Sequence, residues 1–129
     1  MSYAYDPDNI FAKILAGEIP CARIAETEHA LAFRDIHPQA PEHVLIIPKG
    51  PYVTYDHFAA EASADEIVDF TRLVAKVAAE LAVAPPEGRG YRLLSNAGVD
   101  SHQEVPHMHV HLLAGRSLGP LVEPEVGVV

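Results

Sequence analysis

His107-Met108-His109-Val110-His111-Leu112-Leu113 decides how the rest of this chain reads. Three histidines recur at a spacing of two, with apolar residues between them. In an extended strand, successive side chains point to opposite faces. His107, His109 and His111 then share one face, and Met108, Val110 and Leu112 the other. The apolar face packs on a core; the imidazole face needs a chemical reason, because polar rings contribute poorly to packing. A helix turns by about 100° per residue, so the same spacing would scatter the three rings around its circumference. The spacing therefore predicts a strand over Pro106–Leu113.

Working outward, Tyr91–Asn96 reads as a preceding strand and Ala97–Glu104 as the loop between the two. His43–Pro48 is apolar and β-branched, the composition of a central strand. Ala22–Glu26 and Ala30–Arg34, joined by Thr27-Glu28-His29, form a plausible hairpin. Asp35–Pro41 is a loop stiffened by two prolines. Ser63-Ala64-Asp65-Glu66 has the capping-box form, and Ile67, Phe70, Val74, Val77 and Leu81 follow at helical spacing. That predicts an amphipathic helix of roughly 20 residues stopped by Pro85-Pro86. Asp8 or Asn9 caps a short helix carrying Ile10, Phe11, Ile14 and Leu15, ended by Gly17. Tyr52–Ala62 reads as irregular or a single helical turn. The order predicts an α+β domain: a five-stranded, mostly antiparallel sheet with one long and one short helix, the helices on one side. Residues 8–120 form the single domain, after a loose leader over 1–7 and before a tail over 121–129.

A chain of 129 residues suits one core. The formal net charge is −9, which disfavours non-specific binding to nucleic acid or an anionic membrane. Any phosphate must therefore meet a local donor-rich pocket. Cys21 is the single cysteine, and no signal segment or membrane-length apolar run is visible. A reducing, cytoplasmic home is the simplest reading.

Two chemistries fit the histidine track. Histidines two apart on a strand hold zinc when a third ligand joins them, and His43, His37 or Glu104 could supply it. Alternatively, a neutral imidazole attacks phosphorus while its other nitrogen donates to an acceptor that fixes the tautomer. Flanking imidazoles then donate to phosphate oxygens. Spacing alone leaves the two open.

The longer run Gln103–Leu113 resembles the histidine triad motif. Asn9–Ile14, Gly17–Pro20, Ala32–Ile36, Pro38–His43, Leu45–Lys49 and Leu112–Arg116 extend the similarity to the Hint-type branch of the histidine triad family. The resemblance implies a compact α+β homodimer that binds purine nucleotides. It implies hydrolysis of nucleoside phosphoramidates or related adenylates, releasing AMP or GMP, with no metal or other cofactor. The alternatives are a dinucleoside polyphosphate hydrolase, a nucleotide-binding protein with little catalysis, and a zinc-dependent enzyme.

By the same resemblance, His109 is the nucleophile, His111 contacts the α-phosphate, His107 orients the imidazole network and His43 supports it. Asp35 holds the ribose hydroxyls with Ile36 beside it, and a carboxylate suits that task by accepting two hydrogen bonds. The backbone near Gln103 and Glu104 also contacts the α-phosphate, and Asn96 is a polar residue on the phosphate side. Ile10, Phe11, Ile14, Phe33 and Leu45 line the base pocket. Ser101-His102 stand where relatives often carry Gly-Gly, which bears on leaving-group handling. His29, His37 and His57 read as surface residues.

Overall fold

The computed structural model describes residues 3–122. Among them, five strands form one fully antiparallel sheet: β1 (Arg23–Glu26), β2 (Ala30–Arg34), β3 (Glu42–Pro48), β4 (Tyr91–Leu94) and β5 (Val110–Ala114), in the spatial order β1-β2-β3-β5-β4. The last strand is thus inserted between the third and the fourth. Three helices accompany the sheet: α1 (Ile10–Leu15), α2 (Tyr55–Glu61) and α3 (Ala64–Glu80).

Local chemistry sets most boundaries. Asn9 caps α1, its Oδ1 accepting the Ala12 N–H at 2.9 Å, and Gly17 leaves the helix at φ +80°, a conformation that favours glycine. Ser63 and Glu66 form the full capping box at the start of α3. The β1–β2 turn is tied to α3, because Asp69 accepts both the Thr27 hydroxyl (2.6 Å) and the His29 N–H (2.9 Å).

Alternation along the strands splits the interior in two. Ala30, Ala32, Val44, Ile46, Met108, Val110 and Leu112 face Phe58 of α2 and Phe70, Leu73 and Val77 of α3. Leu31, Phe33, Leu45 and Ile47 face the other way, under Phe11 of α1. The helices therefore do not all lie on one side: α1 covers the second face, because Phe11 is buried against it.

Other elements also differ from expectation. Tyr52–Ala62 contains a seven-residue helix, capped by Thr54, whose Oγ1 accepts the His57 N–H, and anchored by buried Phe58. The long helix spans 17 residues and stops before the prolines, where Ala82 takes a left-handed φ of +57° and the Val83 N–H returns to the Ala78 carbonyl. The final strand begins at Val110, not Pro106: the Met108 N–H bonds the Tyr52 carbonyl at 2.7 Å instead of a neighbouring strand. The face alternation persists through 107–109 without the ladder. The leader is not loose from Tyr3 onward, since Tyr3 donates to Asp56 and Tyr5 meets His107. Toward the other end, Arg92 donates to the carbonyls of Leu118, Gly119 and Pro120. Of the tail, residues 123–129 lie outside the described residues. No described helix is long and apolar enough to cross a membrane.

Candidate active site

β3 and β5 are direct neighbours, with Leu45 opposite His111 and His43 opposite Leu113. Residues two apart share a face, so His43 and His111 meet diagonally across the pair. Their rings touch: His43 Nε2 lies 2.9 Å from His111 Nδ1. The tautomers follow from the partners. The Gln39 N–H donates to His43 Nδ1 at 3.0 Å, so neutral His43 carries its proton on Nε2 and donates it to His111 Nδ1. Neutral His111 must then carry its own proton on Nε2. Asp35 Oδ2, 3.5 Å from His43 Nε2, stands beside the pair.

The same reasoning fixes the other two rings. His107 Nε2 lies 2.8 Å from the Pro48 carbonyl, which only accepts, so Nε2 is the protonated nitrogen. His107 Nδ1 is then an acceptor, and the Tyr5 hydroxyl donates to it at 2.6 Å. His109 Nδ1 donates to the His107 carbonyl at 2.6 Å, which leaves a lone pair on His109 Nε2.

Burial keeps the rings neutral. It is the largest cause holding His107 and His111 at about 4, well under the ordinary 6.5, and in both cases the neighbouring imidazoles push the same way. It also lowers His43 and His109, against the opposing pull of Asp35 on both and of Glu104 on His109.

A cavity of about 230 Å³ opens onto this assembly, lined by Phe11, Asp35, Gln39, Leu45, Asn96, Ser101, His102, Glu104, Val105, His109 and His111. The lining includes two carboxylates and no lysine or arginine. An anion entering here meets imidazole N–H groups and loop backbone instead. His102 adopts a left-handed φ of +59° at the rim, a conformation that favours glycine.

The expected site residues divide accordingly. Phe11, Asp35, Leu45, Asn96, His102, Glu104, His109 and His111 line the cavity, while His43 and His107 stand behind it. Phe33 is buried edge-on beneath Phe11 at 5.6 Å and forms part of the floor's support. Gln103 turns its side chain inward: Oε1 accepts the Gly98 N–H, and Nε2 donates to the carbonyls of Val53 and Val105, so it shapes the loop from behind. Ile36 is 78% exposed and Ile10 43%, and neither lines the cavity. Ile14 lines a separate depression with Leu15, Arg23 and Lys49.

Two residues near the site had no visible signal in the sequence. His57 is buried, contrary to the surface reading, because it stacks on Tyr3 at 4.8 Å and its Nδ1 accepts the Val53 N–H. Tyr5 reaches His107 from 102 residues away along the chain. Tyr3 and Tyr5 stand in a stretch of seven residues, too short to carry a periodicity that betrays either contact.

The chemistry of the donor set also admits a cation at one point. Asp35, His43 and His111 each offer a ligand atom within 4.8 Å of the others. His109 is outside that group.

Comparison with known proteins identifies the family. The HIT domain family model matches residues 16–118. A 13.2 kDa HIT-like protein of Azospirillum brasilense is 57% identical over 122 residues, covering 95% of this chain and 98% of the relative. The purine nucleoside phosphoramidase of Escherichia coli is 40% identical over 115 residues, covering 89% and 93%. The solved structure of a HIT family hydrolase from Clostridium thermocellum superposes with a TM-score of 0.80 at 39% identity, covering 90% of this chain and 97% of that one. A family match spanning most of the sequence, on a fold whose central strand pair carries the histidines, means that this chain belongs to the HIT family.

Proposed function

We propose that this protein hydrolyses purine nucleoside phosphoramidates, or related adenylates, through a nucleotidyl-histidine on His109. The observation that carries the reading is the bond from His109 Nδ1 to the His107 carbonyl, which leaves the Nε2 lone pair as the free nitrogen of a cavity-lining ring. The E. coli phosphoramidase relative supports the substrate class.

In the first step the His109 Nε2 lone pair bonds to phosphorus as the P–N bond breaks. A departing amine takes its proton from solvent through the open cavity, and a carboxylate leaving from an adenylate needs none, while the His111 Nε2–H donates to a phosphate oxygen. Water then attacks phosphorus, the bond to His109 breaks and the nucleoside monophosphate departs. The proton from that water leaves with the products to solvent. The His43 N–H on His111 Nδ1 holds the tautomer that keeps Nε2 a donor throughout. Asp35 accepts the ribose hydroxyls from the cavity wall.

The reaction uses no metal in this reading. The Asp35–His43–His111 cluster favours a metal-dependent alternative, but there His43 and His111 already share a proton over 2.9 Å, and a cation would displace it. The partners are a purine nucleotide and a second copy of this chain. Dimerisation is supported by the free edge of β4, where Tyr91 and Leu93 are 41% and 44% exposed, and by an apolar groove of about 310 Å³ beside it. The net charge of −9 argues against nucleic acid and anionic membrane.

The test is a panel of AMP and GMP phosphoramidates beside a diadenosine polyphosphate, run with and without chelator. Chelator-insensitive release of AMP or GMP, lost in His109→Ala, with a trapped nucleotide on His109 in acid-quenched wild type, is the expected result. Full turnover by His109→Ala overturns the assignment of the nucleophile. Chelator-sensitive turnover favours the metal reading, and cleavage of the polyphosphate alone moves the substrate class.

A further inference from the structure

We propose that Tyr5 is a positioning residue for the nucleophile, holding His107 so that the His107 carbonyl keeps His109 in its attacking tautomer. The inference rests on the reading of His109 given above and adds a residue to it.

The argument begins with where the strand stops. Regular pairing in β5 starts at Val110, so the peptide from His107 to His109 has no sheet ladder to hold it. Four contacts replace the ladder, one of them at its far end, where the Ser95 hydroxyl donates to the His109 carbonyl at 2.7 Å. The Met108 N–H bonds the Tyr52 carbonyl at 2.7 Å, the His107 Nε2–H bonds the Pro48 carbonyl at 2.8 Å, and the Tyr5 hydroxyl bonds His107 Nδ1 at 2.6 Å. The His107 ring is fully buried, so its Nδ1 has no access to bulk solvent and depends on the phenol. The carbonyl of this same residue accepts the His109 Nδ1–H at 2.6 Å. A turn or shift of the His107 ring is thus transmitted directly to the group that sets the His109 tautomer.

Tyr5 is itself well anchored. The next residue, Asp6, accepts the Asn9 N–H and side-chain N–H on its carbonyl, and its carboxylate accepts the Asp8 N–H. Asn9 is the cap of α1, whose Phe11 packs edge-on against both His107 and His109. The Tyr5 ring also meets His107 edge-on at 5.5 Å. Burial raises the Tyr5 phenol above its usual 10, so it is a protonated donor at neutral pH.

Tyr5→Phe removes one oxygen and keeps the ring contact. The expected result is a fall in kcat of roughly three- to ten-fold with KM changed by less than about two-fold, because substrate contacts are untouched. Imidazole ¹⁵N spectra should show His109 losing its single Nδ1–H tautomer for an exchanging mixture. Tyr3→Phe, which removes the Tyr3–Asp56 bond from the same leader, is the control and should leave both readings unchanged. Unaltered kcat and an unaltered His109 spectrum in Tyr5→Phe overturn the proposal. So does an equal effect of Tyr3→Phe, which would mean that the leader acts only as general packing. The spectra are recorded on folded protein without substrate. A wild type lacking phosphoramidase activity would sink the functional reading while the His109 tautomer still judged Tyr5.

Discussion

Replacing His107 by Gln should flatten the acid limb of the stability curve. The ring is fully buried between Pro48 and Tyr5, and burial holds it at about 4 against 6.5 when the chain is unfolded. Between those two values the unfolded state binds the proton and the folded state does not. Stability therefore rises with pH across this window and falls as pH drops through it. For one such group, the linkage relation gives a loss of about 2 kcal/mol between pH 7 and pH 5. Gln keeps a donor for the Pro48 carbonyl but cannot titrate. The variant should be less stable than wild type at pH 7, by about 1–3 kcal/mol for the disturbed buried contacts. Its further loss on going to pH 5 should be smaller than that of wild type by about 2 kcal/mol. Urea unfolding followed by circular dichroism at both pH values measures each term, and the other titrating groups cancel in the comparison. Equal pH dependence in the two proteins would refute the argument that His107 is held neutral by its surroundings.

Three further outcomes follow from the same coordinates. The pH–rate profile for a phosphoramidate should keep its half-point below 6.5, the ordinary histidine value, because burial lowers His43, His109 and His111 alike; an acid limb centred at 6.5 or above would contradict this. Asp35→Asn should weaken nucleotide binding by roughly 10- to 100-fold, the range for hydrogen bonds to a charged group, and a 2′-deoxy substrate should lose less from the change than the ribonucleotide; titration calorimetry with AMP and dAMP reads both. Ser63→Ala should cost about 0.5–2 kcal/mol by breaking the capping box of α3, with kcat and KM unaltered, checked by thermal unfolding beside steady-state kinetics.

The strands and caps were legible because their signals are local. Asn9, Ser63 and the apolar, β-branched run of β3 each act within a few residues, and the structure follows them. α2 was hidden because its seven residues carry too few turns to show a period, and Thr54 gave the only start signal. The histidine track was read with the right faces but too long a ladder, since Met108 takes its partner from Tyr52, a loop residue that no pattern in the final strand announces. The burial of His57 and the grip of Tyr5 on His107 arise from contacts across the fold, over distances in sequence that periodicity cannot span. The role expected of Gln103 lies in its backbone; where its side chain goes is set by Gly98, Val53 and Val105, because a loop without a ladder needs internal donors and acceptors.

The strand order has a consequence for how the protein comes into being. Among the described residues β5 is the last strand in chain order, yet it takes a central place between β3 and β4. During synthesis on the ribosome, β3 emerges with one long edge uncovered and waits more than sixty residues for its neighbour. His43 waits with it, since its imidazole partner arrives on that same final strand. A nascent chain halted before residue 107 lacks all three rings of the track, two of the side chains that line the cavity, and the strand that joins β4 to the sheet.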